Sequence, residues 1–256
     1  VISPDAAGVI DISGPSSVGG IYSHSAGNLI TLSSSTIQSV GGTFDLFNLT
    51  TLSTLSFSEL TSVETILWNA LPNLGSLTFP QFISKATDVT IENTFLTTLD
   101  GINLASVNNL DINNNRRLSM FSTQIASVGT LLNVASNAQN LVVELPNLIW
   151  AANATFRNVS SVTIPSLAVV NGSLTFDENY FTSISAPNLT SVGNLGYSSG
   201  ALAFVANAQL QNITLPALKT IGGAALISNN TALTSISLPA LSQVGGAIDF
   251  VGNYSS

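Results

Sequence analysis

The chain has no cysteine, one histidine and one methionine among its 256 residues, and only 7% of those residues are charged. Without cysteine there are no disulfide staples, no thiol nucleophile and no thiolate metal site, and the redox compartment is left open. The one histidine, His24, has no second histidine or cysteine to complete a metal site and belongs to no recognisable nucleophilic triad. Five basic residues face thirteen acidic ones, for a net charge of −8. The only adjacent basic pair is Arg116–Arg117, so no basic stripe exists to displace counterions from nucleic acid. No apolar run approaches the roughly 18 residues of a membrane span, so direct membrane insertion is not expected. Scarce charge does not mean disorder here, because 45% of the residues are hydrophobic and disordered chains are poor in apolar residues.

What the chain has in abundance is one repeated phrase, roughly Pro-x-Leu-x-x-Val-Gly-Gly followed by alternating apolar residues, an asparagine, and Leu-x-x-Ile-x-Leu. The clearest copies start at Pro187, Pro216 and Pro239. The residue before the glycine pair, or its stand-in, falls at Val18, Val40, Val63, Ala86, Val107, Val128, Ala151, Val170, Val192, Ile221 and Val244, in steps of 19 to 29 residues. Such a period belongs to solenoids and argues for one domain over 1–256. The longest step locates a loop insertion at 193–200, Gly-Asn-Leu-Gly-Tyr-Ser-Ser-Gly, which is turn chemistry. The sequence opens without a signal peptide and stops inside a repeat, which reads as a fragment lacking its native N- and C-terminal segments, with an end open to self-association.

Within a copy, Leu174-Thr175-Phe176 and Ile248-Asp249-Phe250 alternate with period two, as half-buried strands do. A second strand follows the asparagine, as at Ile213–Leu215, and a third follows the proline, as at Leu218–Ile221. Proline marks one corner; the pairs Gly41-Gly42, Gly222-Gly223 and Gly245-Gly246 mark another, where unusual backbone angles are expected. These features predict an all-β, right-handed parallel β-solenoid of about ten coils. Asn93, Asn115, Asn137, Asn179, Asn207, Asn230 and Asn253 form a buried asparagine ladder, with Asn48, Asn69 and Asn158 fitting after a one-residue shift. An inward amide carries two donors and an acceptor, enough to satisfy turn backbone and bond its stacked neighbours.

No cofactor or metal site is signalled. Glu92 and Asp111 are outward in consecutive coils and stand roughly 8 Å apart on strand spacings, within the range of an inverting glycosidase pair. They define the rival reading, a secreted polysaccharide-active β-helix enzyme; a solvated face with scattered charges is the plainer one. Asp177 and Glu178, adjacent in a strand, should point to opposite faces. Trp150 sits in a column otherwise dominated by serine and threonine, so its indole is either covered by a neighbour or offered to a sugar ring as a carbohydrate contact; Trp68 is inward and core. Asn-x-Ser/Thr sequons occur at eight positions. Those at corners, Asn153, Asn171, Asn188, Asn212 and Asn229, are expected to carry N-linked glycans, while Asn48, Asn158 and Asn253 lie in or beside the asparagine column.

Two stretches are more specific than the generic repeat: Leu-Asp-Gly-Ile-Asn-Leu-Ala-Ser-Val-Asn-Asn-Leu-Asp-Ile-Asn-Asn-Asn-Arg-Arg-Leu at 99–118, and Pro-Asn-Leu-Ile-Trp-Ala-Ala-Asn-Ala-Thr-Phe-Arg-Asn-Val-Ser-Ser-Val at 146–162. The chain resembles, over essentially its whole length, the fungal GPI-anchored cell-wall organisation proteins, whose leucine-rich repeats are similar to receptor L-domains. The resemblance implies a secreted, glycosylated, non-enzymatic protein of the plasma-membrane surface and wall, needed for wall integrity, with wall polysaccharide or wall glycoproteins as partners. It brings no catalytic residues. The family's signal peptide, terminal cysteines, Ser/Thr-rich stalk and anchor signal are absent from these residues.

Overall fold

A computed structural model describes residues 1–251. The chain is a parallel β-solenoid of about eleven turns with almost no helix, against the ten coils expected. Its backbone falls into two compact units, Val1–Thr123 and Gln124–Ser256.

In the first unit one sheet stacks Ile21–His24, Ser39–Phe47, Ser62–Leu71, Asp88–Thr94 and Ser106–Asn113, all parallel. A second sheet stacks Ala7–Asp11, Asn28–Ser34, Thr54–Phe57 and Leu77–Thr78. The second unit repeats the plan with Ala154–Arg157, Leu174–Asp177, Leu202–Val205, Ala225–Ser228 and Ile248–Val251. Its second sheets pair Val142–Glu144 with Ser161–Thr163, and Ser183–Ser185 through Asn212–Thr214 to Ser235–Ser237. The short strand after the proline, such as Thr220–Ile221, extends the first sheet and does not make a separate face. In the first unit it fuses with the next strand: Ser39–Phe47 runs through Gly41-Gly42, and its register with Ser62–Leu71 shifts there. That shift is a bulge, which adds a residue without ending the ladder.

Alternation places every second side chain inside. Phe44 meets Phe57 and Trp68 edge-on at 5.2 and 5.5 Å, and Trp68 is fully buried as expected. In the second unit Phe156, Phe176 and Phe204 are exact register partners and stack face to face at 5.5 and 4.9 Å. The ring spacing follows from the strand spacing, because stacked coils hold identical residues one ladder step apart.

The asparagine ladder forms, with corrections at Asn93 and Asn69. Asn179 Nδ2 donates to Phe156 O at 3.0 Å and to Asn207 Oδ1 at 2.9 Å. Asn207 Nδ2 donates in turn to Phe176 O and to Asn230 Oδ1, both at 3.0 Å, and Asn230 Nδ2 to Phe204 O at 2.8 Å. Each Oδ1 also accepts the backbone N–H of the residue stacked before it, as Asn207 does from Asn179. Asn115 and Asn137 are buried in the same position, but Asn93 is not: the inward residue of that coil is Thr94, whose N–H and hydroxyl donate to Asn115 Oδ1. Asn93, Asn48 and Asn158 occupy the preceding position with φ of 54°, 54° and 56°. Asparagine tolerates this left-handed region better than most residues, so one residue type serves two adjacent columns for different reasons. Asn69 lies one residue earlier again, before Ala70 at φ 58°. Asn253 falls outside the described residues.

The glycine pairs also need a different explanation. None of Gly41, Gly42, Gly222, Gly223, Gly245 and Gly246 has a positive φ. A Cβ on Gly42 would stand 2.5 Å from Gly19 O, and one on Gly223 2.6 Å from Gly200 O. Glycine is required there because neighbouring coils touch backbone to backbone.

Candidate functional site

The outward face of the first sheet in Val1–Thr123 is an open, polar-aromatic surface set by register. One column reads Tyr22, Asp45, Leu67, Thr90 and Asp111; the next reads His24, Phe47, Asn69, Glu92 and Asn113. Glu92 and Asp111 are therefore diagonal neighbours, as expected. Each is tied to an amide: Asn69 Nδ2 donates to Glu92 Oε1 at 2.5 Å, and Asn113 Nδ2 to Asp111 Oδ1 at 2.8 Å. Both carboxylates thus serve as acceptors in a surface network. His24 Nε2 lies 2.8 Å from Asp45 Oδ2 and edge-on to Phe47 at 5.8 Å. Tyr22, Phe47 and Leu67 escaped the sequence reading; carrying the Glu92 and Asp111 columns back to the first coil would have found them. Among the described residues no cluster of three or more His, Cys, Asp or Glu side chains is placed to hold a metal ion.

In the second unit Asp177 and Glu178 do not face opposite ways. The strand ends at Asp177, and Glu178 turns the corner at φ 52°, which swings its side chain to the outer side. Arg157 lies between them, with Nε 3.3 Å from Asp177 Oδ2 and Nη2 2.6 Å from Glu178 Oε2. The hydrogen bond and charge of Arg157 hold the Glu178 carboxyl below its ordinary range, whereas partial burial raises Asp177 despite the same arginine. Arg117 lies 4.2 Å over the Phe95 ring, a cation–π contact, while Arg116 is exposed in the same turn.

Trp150 is half-buried, paired between Ser127 and Val169, and Ile149 beside it is 55% exposed. The inserted loop carries a short 3-10 turn, Leu195–Tyr197, with Tyr197 82% exposed. It folds onto Gly222, where a Cβ would strike Asn194 N and Ser199 O.

The sequons Asn153, Asn171, Asn188, Asn212 and Asn229 are all exposed; Asn48 is exposed too, and Asn158 is half-buried. Asn153 is more constrained than the others. Its Nδ2 donates to Thr130 O and its Oδ1 accepts from Ser173 N, so the amide bridges three coils.

Among curated proteins, the chain is 45% identical over 249 residues to Protein ecm33 of Aspergillus fumigatus, covering 96% of this chain and 61% of that protein. It is 36% identical over 230 residues to a cell surface GPI-anchored protein of Arthroderma benhamiae, covering 90% and 58%. It is 32% identical over 185 residues to the cell wall protein ecm33 of Schizosaccharomyces pombe, covering 72% and 44%. The chain thus spans about three fifths of the first two relatives. No family model and no solved structure matches.

Proposed function

Because the chain belongs to the fungal family of GPI-anchored cell-wall proteins, we propose that it is a non-enzymatic glycoprotein of the wall and outer cell surface that supports wall organisation by presenting its solenoid faces to wall polymers or wall proteins. The observation that carries this reading is the 45% identity to a fungal ecm33 protein across nearly all of the chain. The outward sheet face supports it physically. Its carboxylates Glu92 and Asp111 are held as acceptors by asparagine amides on an open surface. Trp150, half-buried, adds an indole for stacking on a sugar, and the exposed sequons give the second unit a glycan coat.

A pull-down on insoluble β-glucan and chitin, with product analysis of the supernatant, tests the proposal. Retention without released oligosaccharides is expected, weakened by Trp150→Ala. Oligosaccharides that appear with the wild type and vanish with Asp111→Asn would replace this reading with the enzymatic one.

A further inference from the structure

We propose a saccharide-binding groove across the third, fourth and fifth coils of Val1–Thr123, with Glu64 of the third coil and Lys85 of the fourth as its polar walls and Ala86 between them; the assignment rests on the wall-polymer reading above. Four coils of this unit carry the pair Ser-Val at one position: Ser17-Val18, Ser39-Val40, Ser62-Val63 and Ser106-Val107. The fourth coil alone reads Lys85-Ala86. Val63 and Val107 are buried, with 1% and 6% of their surfaces exposed, but Ala86 is half-exposed. The missing isopropyl group leaves a space that the repeat elsewhere fills.

The backbone opens at the same place. Toward the third coil the fourth remains bonded, with Val63 N donating to Lys85 O at 3.0 Å and Ser84 N to Thr61 O at 2.9 Å. Toward the fifth, the flanking bonds are Asn103 N to Ile83 O at 2.9 Å and Asn108 N to Thr87 O at 2.7 Å. Between them, among the described residues, no backbone hydrogen bond joins Ser84–Ala86 to Leu104–Val107. The split forms part of a groove of about 390 Å³ that also takes in Ser62, Val63 and Glu64 of the third coil, at the lower end of small-molecule sites.

Its chemistry selects the ligand. Ser62, Ser84, Ser106 and Thr87 line it together with Lys85 and Glu64, and its apolar lining is only Val63, Ala86 and Ala105. Thr87 Oγ1 donates to Glu64 Oε1 at 2.9 Å, which orients the carboxylate, and Lys85 has no ion pair among the described residues. Cationic donor, anionic acceptor and hydroxyls of both kinds suit a polyhydroxylated ring. A lipid or a nucleobase would want an apolar or aromatic wall that is lacking, and a phosphate would meet Glu64. The ligand is a hexopyranose segment of a neutral wall polysaccharide. Access is clear: this unit holds one of the eight sequons, Asn48, and the other seven lie in the second unit.

The test uses the double variant Lys85→Ser/Ala86→Val, which restores the repeat's own pair and so preserves the fold. Retention on insoluble β-glucan and chitin, and calorimetric titration with their soluble oligosaccharides, are measured beside Lys85→Ser alone and Trp150→Ala. The double variant should melt no lower than the wild type and bind at least about tenfold more weakly, the loss expected when a charged hydrogen bond goes. Lys85→Ser alone should show part of that loss. Unchanged retention by the double variant overturns the groove and leaves the wall-polymer reading standing. A wild type retained by neither polymer overturns that reading and the groove with it.

Discussion

Asn207 shows how much one side chain carries in this molecule. Its amide accepts from Asn179 and donates to Phe176 O and Asn230 Oδ1, so it ties three coils with one group. Asn207→Leu leaves the Asn179 N–H buried without its partner and puts a larger side chain into the stack, at about 1–3 kcal/mol each. Urea denaturation should find the variant less stable by roughly 2–5 kcal/mol, well beyond a surface substitution. The Arg157 cluster makes a prediction of opposite kind, small and dependent on pH. Glu178 has a depressed folded pKa, so its stabilising effect is full above the unfolded carboxylate pKa and is lost as pH falls through the folded one. Asp177 has a raised folded pKa, so its ionisation works against folding as pH rises through that value. Melting curves should therefore place Glu178→Gln below the wild type at neutral pH and equal to it in strong acid, and Asp177→Asn at or above the wild type at neutral pH.

Among the elements, the inserted loop depends on a glycine it does not contain. Gly222 lies in the following coil, and any Cβ there enters the space of Asn194 and Ser199. Gly222→Ala should therefore lift the loop without unfolding the sheets. Limited chymotrypsin digestion would report it: cleavage after Tyr197, already 82% exposed, should become several-fold faster than in the wild type, because proteolysis follows local opening. Far-ultraviolet circular dichroism should stay unchanged. Unaltered cleavage would mean that the loop holds its own shape by the Asn194 cap and the bridge to Ser199.

For the molecule as a whole, the two units differ in surface chemistry. Val1–Thr123 holds nine of the thirteen acidic residues and a single sequon, whereas the second unit holds seven sequons and four acidic residues. Glycopeptide mapping of the protein from a fungal host should find Asn171, Asn188, Asn212 and Asn229 occupied. Asn153 should be the least occupied of the five corner sequons, since its amide is engaged on both sides. Occupied Asn158 with empty Asn188 would contradict the exposure seen in the structure.

The solenoid was legible in the sequence because its information is periodic. Alternation at Leu174–Phe176, proline at corners and the recurring asparagine each specify one local geometry, and repetition leaves stacking as the way to bury the exposed edges. Trp68 in the core and Glu92 beside Asp111 on the outer face followed from the same parity of strand positions. Parity fails at a corner, which is why Glu178 turned outward to join Asp177 on Arg157, and why Asn93 fell one residue short of the ladder. Whether a glycine serves a backbone angle or a close approach depends on the neighbouring coil, some twenty residues away, and only the packed structure holds that distance. The groove beside Lys85 has the same origin. The sequence records Ala86 as a small apolar residue in a valine column, but only the stacking of two coils decides that the missing atoms leave open space.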